Sequence, residues 1–380
     1  QSAYASFLEQ HSETWLTDYV EYRVLKTLHG EKPWPEWSQA FIRREPEAMS
    51  GMRKEHEDWL NRLRVVQFFF YQQWQALIER ATALGIRLFG DMPIYIALDS
   101  ADAWAKPELL LIDNNGLPSH VAGVPPDYFS EDGQLWGNPL YDWALHARSG
   151  YDWWIARTRH ALQFNHLVRI DHFRGFESYW SVPARETTAR NGEWLRGPRD
   201  GLFLSLENAL GSLAIIAENL GVITPEVEAL RLRHRIPGMI VLQFALADPA
   251  FDPSAIAADC VCYTGTHDND TSLGWFQGGA DDTRSADELE TTQQQVLHIT
   301  GGTAVTVHMD LIRMAFASPA KLAMVPMQDL LGLGSGSRLN KPGTTLDNWR
   351  WRMLPDALNA AVMQSIRQLL AESSRISVVG

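Results

Sequence analysis

The chain has 380 residues, 45% hydrophobic and 21% charged, a composition that suits one large barrel with insertions or two domains and excludes the disordered classes. Its net charge of −13, without any cluster of Lys and Arg, argues against nucleic acid and anionic membranes as partners, because phosphate neutralisation needs clustered cations. A neutral substrate is compatible with that charge. No signal peptide, transit peptide or membrane-length apolar run is found, so the cytoplasm is the expected compartment.

In chain order, positions 12–84 predict helices. Apolar residues recur at three- and four-residue spacing in Trp15, Tyr19, Tyr22 and Leu25, and again in Val65, Val66, Phe69, Trp74 and Leu77. Strand-like runs follow at 86–89, 167–170, 213–217, 239–245, 260–263 and 321–325. Helical stretches such as 151–164, 225–235 and 304–317 lie between them. Strands alternating with helices predict an α/β protein with a parallel sheet. The segment 118–143, rich in Pro, Gly and aromatics, is too long for a simple connector and is read as a loop, either packed on the surface or contacting a ligand. Cys260 and Cys262 flank Val261 on an apolar strand and read as two reduced thiols, since a metal or redox pair would need other spacing and more ligands. The G-x-G-x-G run at 332–336 lacks both the Rossmann pattern and a P-loop Lys, so nucleotide binding is not expected. Most of the fifteen Trp are expected in the core, although aromatic faces also pack on the C–H faces of sugar rings.

Three of the apolar runs end in a carboxylate: Leu-Val-Arg-Ile-Asp-His-Phe-Arg-Gly at 167–175, Ile-Ile-Ala-Glu-Asn-Leu-Gly at 215–221 and Tyr-Thr-Gly-Thr-His-Asp-Asn-Asp at 263–270. Buried parallel strands deliver such acids to the C-terminal mouth of an α/β barrel, so Asp171, Glu218 and Asp268 are expected to converge. Any one of them alone also reads as a helix cap or half of a structural ion pair. Together they carry a repeated theme, with Arg169 two before Asp171, His172 after it and His267 before Asp268. Cations and imidazoles beside carboxylates hold one acid ionised and bind hydroxyls. Two acids in opposite protonation states serve glycosidic-bond chemistry. A metal site built from His267, Asp268 and Asp270 is disfavoured, because adjacent residues alternate direction and no His-x-x-x-His companion occurs.

These motifs, with Gly-Asp-Met-Pro-Ile at 90–94, Gly-Val-Pro-Pro-Asp-Tyr-Phe-Ser at 123–130, Leu-Trp-Gly-Asn-Pro-Leu-Tyr at 135–141 and Arg-Leu-Asn-Lys-Pro-Gly-Thr at 338–344, resemble the amylomaltases, the 4-α-glucanotransferases of glycoside hydrolase family 77. The likeness runs from about position 15 to about 370. It implies a (β/α)8 barrel of the α-amylase type with helical and loop insertions, in which the six strands would be strands three to eight and the chain would lack an amino-terminal part. Residues 1–85 would then be a helical insertion, 86–373 the barrel with 118–143 as a substrate loop, and 374–380 a tail. The first and last of the six strands would be open edges if no further strands precede them.

By the same resemblance Asp171 would be the nucleophile, Glu218 the acid/base and Asp268 the transition-state stabiliser. Asp91, Tyr128, Phe129, Trp136, Arg169, His172, His267 and Asn340 would contact substrate. Maltooligosaccharides and α-1,4-glucans are the implied substrates, and no cofactor or metal is implied. The competing readings are an α-glucan hydrolase using the same acids and an inactive glucan-binding remnant. Two departures stand out: Asn219 occupies a position where the family usually has Asp, and the loop after 239–245 lacks the family's acid and Leu-Pro-His-Asn stretch, leaving Asp248 as its possible substitute.

Overall fold

The computed structural model describes residues 2–126, 131–279, 282–373 and 375, and divides the chain into two units, 1–236 and 237–380. Ten strands occur among the described residues: β1 (Phe89–Pro93), β2 (His120–Val124), β3 (Gln134–Pro139), β4 (Leu167–Asp171), β5 (Ser178–Pro183), β6 (Glu193–Arg196), β7 (Ile215–Ala217), β8 (Gly238–Val241), β9 (Cys260–Tyr263) and β10 (Leu322–Met324). No described helix is long and apolar enough to cross a membrane.

The first unit opens with helices. Ala3–His11 is capped by Ser2, whose hydroxyl accepts the Ala5 amide, and Thr17–Leu28 follows after a π-helical turn at Ser12–Leu16. That turn spends one residue more than an α turn and rotates the stripe that follows. Leu16, Val20, Val24 and Leu25 are fully buried and Tyr22 is 5% exposed, so Tyr22 and Leu25 of the expected stripe lie in the core, while Trp15 and Tyr19 stay half-buried. Glu21 is buried in the same layer. Its carboxylate accepts from Arg53 Nε at 2.6 Å and Nη2 at 3.1 Å, which offsets the cost of burying the charge. The long helix Glu57–Ala83 also departs from the expected stripe: Phe68 and Tyr71 pack on Phe7, whereas Val66, Phe69 and Leu77 are about half exposed. Gly116, at φ +79°, lies against the Trp34 ring, where a Cβ would come within 2.2 Å, so only Gly fits there.

Three parallel strands in the order β1-β4-β7 follow. Their apolar residues (Val168, Ile170, Ile215, Ala217) are buried with Trp154, Phe173, Phe176 and Phe203; on β4 they alternate with Arg169 and Asp171, whereas β7 is apolar throughout. The segment expected as a loop at 118–143 instead holds β2 and β3, which join β5 and β6 in an antiparallel sheet of order β3-β2-β5-β6. Pairing with β5, some sixty residues away, supplies the hydrogen bonds that no local pattern announces.

The second unit contains the parallel order β10-β9-β8 and the helices Ala286–Thr300, Val307–Ala317 and Ala360–Glu372. Leu242, Cys262, Val296, Leu311 and Ala315 form its core, and both cysteines are buried thiols outside any disulfide. The expected strand at 239–245 ends at Val241. Leu242–Ala245 is a helical turn, with Gln243 buried and donating to the Asp270 carbonyl at 2.9 Å. Of the expected tail, Arg375 is described, and it donates to the carbonyls of Ala315, Phe316, Ser318 and Ala320 at the end of Val307–Ala317.

Candidate active site

Register builds the first cluster. In parallel neighbours, paired residues point to the same face, and Asp91 on β1 pairs with Arg169 on β4. Two residues on, Asp171 returns to that face. Ile170 pairs with Ala217, so Glu218 sits one step beyond β7 beside Asp171, its amide donating to the Ile170 carbonyl at 2.9 Å.

Arg169 joins the two aspartates. Its Nε and Nη2 donate to Asp91 at 2.9 and 2.7 Å, and Nη2 also donates to Asp171 Oδ1 at 2.9 Å. The guanidinium side chain is only 8% exposed. Burial works against its charge, but the Asp91 hydrogen bond and the charges of Asp91, Asp171 and Glu218 outweigh it, so its pKa lies above the ordinary value. A permanent cation thus stands against Asp171 and favours the carboxylate.

Glu218 is held differently. Its Oε2 accepts the His172 amide at 2.8 Å and its Oε1 the Leu220 amide at 2.9 Å. Burial, then the negative charge of Asp171, pushes its pKa up to about 7, against the pull of the two amides and Arg169. Arg169 thus favours the charged form of Asp171 while burial favours the protonated form of Glu218, the asymmetry that lets one acid attack while the other donates.

His172 turns the chain sharply at φ +53°, and its ring stands edge-on to Trp136 at 4.7 Å. Burial, then the Arg174 charge, lowers its pKa to about 4, so the imidazole is neutral; its buried Nε2 has no partner among the described residues. Trp136 lies on β3 and is 37% exposed, leaving part of its ring open to a ligand. Tyr128 and Phe129, expected beside it, lie outside the described residues.

The second unit carries the other cluster. Asp268, after β9, accepts from Asn340 Nδ2 at 2.6 Å and lies 3.3 Å from His267 Nε2. Arg338, two residues before Asn340, donates to the Asp268 carbonyl at 2.7 Å, and the Trp349 ring lies 5.2 Å from that of His267. Arg338 opens the Arg-Leu-Asn motif at 338–344 without being among the expected site residues, and no sequence signal marks Trp349. Asp270 turns to other partners, accepting the Thr271 amide and the Ser335 hydroxyl.

Asp329 was also missed. This 1% exposed carboxylate accepts from Thr264 Oγ1 at 2.6 Å and from both the amide and the hydroxyl of Ser272 at 2.7 Å, so it pins both ends of the loop bearing His267 and Asp268. Burial raises its pKa despite those donors. Asp329→Ala strands three buried donors and is expected to lower the unfolding free energy by about 3 kcal/mol, measured by urea denaturation.

The departures from the family pattern have local roles. Asn219 donates to Glu228 at 2.7 Å, and Glu228 pairs with Arg231, so an acid at 219 would face another carboxylate. Asp248 is exposed, and its Oδ1 accepts the Ala250 amide of its own turn at 2.9 Å.

The family model described as 4-alpha-glucanotransferase, glycoside hydrolase family 77, matches residues 1–358. The chain is 47% identical over 368 residues to the 4-alpha-glucanotransferase of Synechocystis sp., covering 94% of this chain and 70% of that protein. It is 43% identical to the 4-alpha-glucanotransferase of Thermus thermophilus, covering 99% and 75% respectively. Among solved structures, amylomaltase from Streptococcus agalactiae in complex with acarbose matches with a TM-score of 0.91 and 35% identity, over 98% of this chain and 74% of that one. The carboxylates at the strand ends and the family match over nearly the whole sequence lead to one conclusion: this chain belongs to the 4-alpha-glucanotransferases of glycoside hydrolase family 77.

Proposed function

We propose that the chain transfers α-1,4-glucan segments between maltooligosaccharides by a retaining double displacement. The observation that carries this reading is the contrast between Asp171, paired with the Arg169 cation, and Glu218, whose pKa is about 7. In the first step an Asp171 oxygen attacks the anomeric carbon. The bond from that carbon to the glycosidic oxygen breaks, and the leaving oxygen takes the Glu218 proton. In the second step Glu218, now a carboxylate, takes the proton of an acceptor 4-hydroxyl, whose oxygen displaces Asp171 and restores the α configuration.

Asp91 sets Arg169, and through it Asp171. His172 and Trp136 contact the sugar rings. Asp268, with His267 and Asn340, binds hydroxyls of the reacting glucose and favours its distortion. Tyr128 and Phe129 are assigned to the acceptor side. Likeness to amylomaltase supports reading β1, β4, β7, β8, β9 and β10 as strands three to eight of an α-amylase type barrel, with 1–85 as a helical insertion.

Transfer is separated from hydrolysis by what reaches the glucosyl ester first. If Trp136 helps hold an acceptor and exclude water, a positioned 4-hydroxyl wins through its high effective concentration. Maltotriose should then yield glucose and a ladder of longer oligosaccharides with almost no rise in reducing ends, and Trp136→Ala should raise the hydrolytic share. A steady rise in reducing ends from the unmutated chain, with no product longer than the substrate, would move it to the hydrolase reading.

A further inference from the structure

We infer that Gln243 and Asp329 are positioning residues for the reaction: from the ends of the two strands that flank β9 they clamp the loop 264–272 and fix where Asp268 points, an inference that rests on the hydroxyl-binding role proposed for Asp268.

β9 is the middle strand of the order β10-β9-β8, and Tyr263 at its end pairs with Val241 on one side and Met324 on the other. The chain after β9 therefore leaves between the ends of β8 and β10. Each neighbour contributes one buried polar side chain to it. Gln243 follows the end of β8 at Val241, is 2% exposed, and donates its Nε2 to the Asp270 carbonyl at 2.9 Å. A Cβ on Gly265 would come within 2.6 Å of the same nitrogen, so the amide lies directly against the backbone where the loop begins. From the β10 side, Asp329 binds Thr264 with Oδ2 and Ser272 with both oxygens, which ties the first residue of the loop to the last. Thr264 and Ser272 are fully buried, so losing Asp329 strands their donors.

Between these ends the loop is folded on itself. Thr266 donates its amide and its hydroxyl to Asn269 Oδ1 at 2.9 and 2.7 Å, and the Asp268 amide donates to Thr266 Oγ1 at 3.2 Å. The segment 266–269 thus moves as one piece, and a shift at its ends carries the Asp268 carboxylate with it. A clamp from both neighbouring strands removes that freedom. Placement matters here because Asp268 acts on hydroxyls of the reacting glucose, and a misplacement of about 1 Å caused from a distance can cost on the order of 100-fold in rate.

The test is fluoride release from α-glucosyl fluoride with maltose as acceptor, a reaction common to transfer and hydrolysis. Asp329→Ala and Gln243→Met, each checked for native fold by circular dichroism, should lower turnover at saturating donor about 10- to 100-fold while changing KM less than about threefold, because the placed carboxylate is needed most in the transition state. Asp329→Asn should recover most of the loss seen with Ala: its amide oxygen can accept the Ser272 amide, and its nitrogen can donate to the two hydroxyls, which reverse their roles. A general loss of stability would not be cancelled by a change at Asp268, whereas a positioning role is. In the Asp268→Ala background Asp329→Ala and Gln243→Met should therefore each cost less than about threefold. Equal losses in the unmutated and the Asp268→Ala chains, or folded Ala and Met variants within about twofold of unmutated turnover, would overturn the clamp. Should Asp329→Ala not fold, Gln243→Met and Thr264→Val, which each remove a single bond, decide the same comparison. Failure of the transferase reading would show separately, as the absence of the maltotriose ladder from the unmutated chain while fluoride release follows this pattern.

Discussion

Asp171→Asn is expected to lower turnover of maltotriose on the order of 10⁴-fold or more while leaving its binding within about tenfold. The amide keeps an oxygen that can accept from Arg169 Nη2, and the Asp91–Arg169 pair remains in place, so the hydroxyl contacts survive. What is lost is the nucleophile: a neutral amide cannot form the ester with the anomeric carbon. Steady-state transfer rates, read beside calorimetric binding of the unreacted substrate, check both halves of the expectation. Near-normal turnover would remove Asp171 from the centre of the reaction.

Glu218→Gln separates the two steps. An α-glucosyl fluoride needs no protonation to depart, so the glucosyl ester should still form on Asp171. The second step then lacks its base, and the adduct should accumulate, visible by mass spectrometry as one added glucosyl unit mapping to the peptide containing Asp171. An adduct on Asp268 would exchange the roles of the two aspartates. The same residue sets the pH dependence. Glu218 is raised to about 7, is protonated below that value, and is needed protonated to donate to the leaving sugar. Activity on maltotriose should therefore fall as pH rises through about 7, whereas ester formation from the fluoride should show no such limb.

The chemistry was written locally and the environment was not. Each acid closes a short run rich in buried aliphatic residues, so the runs holding Val168, Ile170, Ile215 and Ala217 could be read as strands without knowing their partners. Arg169 and Asp171, two apart on one strand, had to share a face, so their pairing was legible as well. Caps and turns, such as Ser2 at the first helix, are likewise local matters.

Tertiary structure decided whatever depended on neighbours distant in sequence. Asp91 reaches Arg169 across 78 positions only because β1 and β4 pair in that register. The pKa of Glu218 follows from how much water the surrounding fold removes, which no motif states. The segment 118–143 read as a loop although β2 and β3 pair with each other within it, because the outer partner of β2 is β5, some sixty residues on, and Asp329 carried no signal because its partners lie 57 and 65 positions away. The phase of the first helices was legible only in part: Tyr22 and Leu25 of the expected stripe are buried, but beside the π-helical turn, which adds one residue to the period, Leu16 and Val20 are buried and Trp15 and Tyr19 stay half-buried.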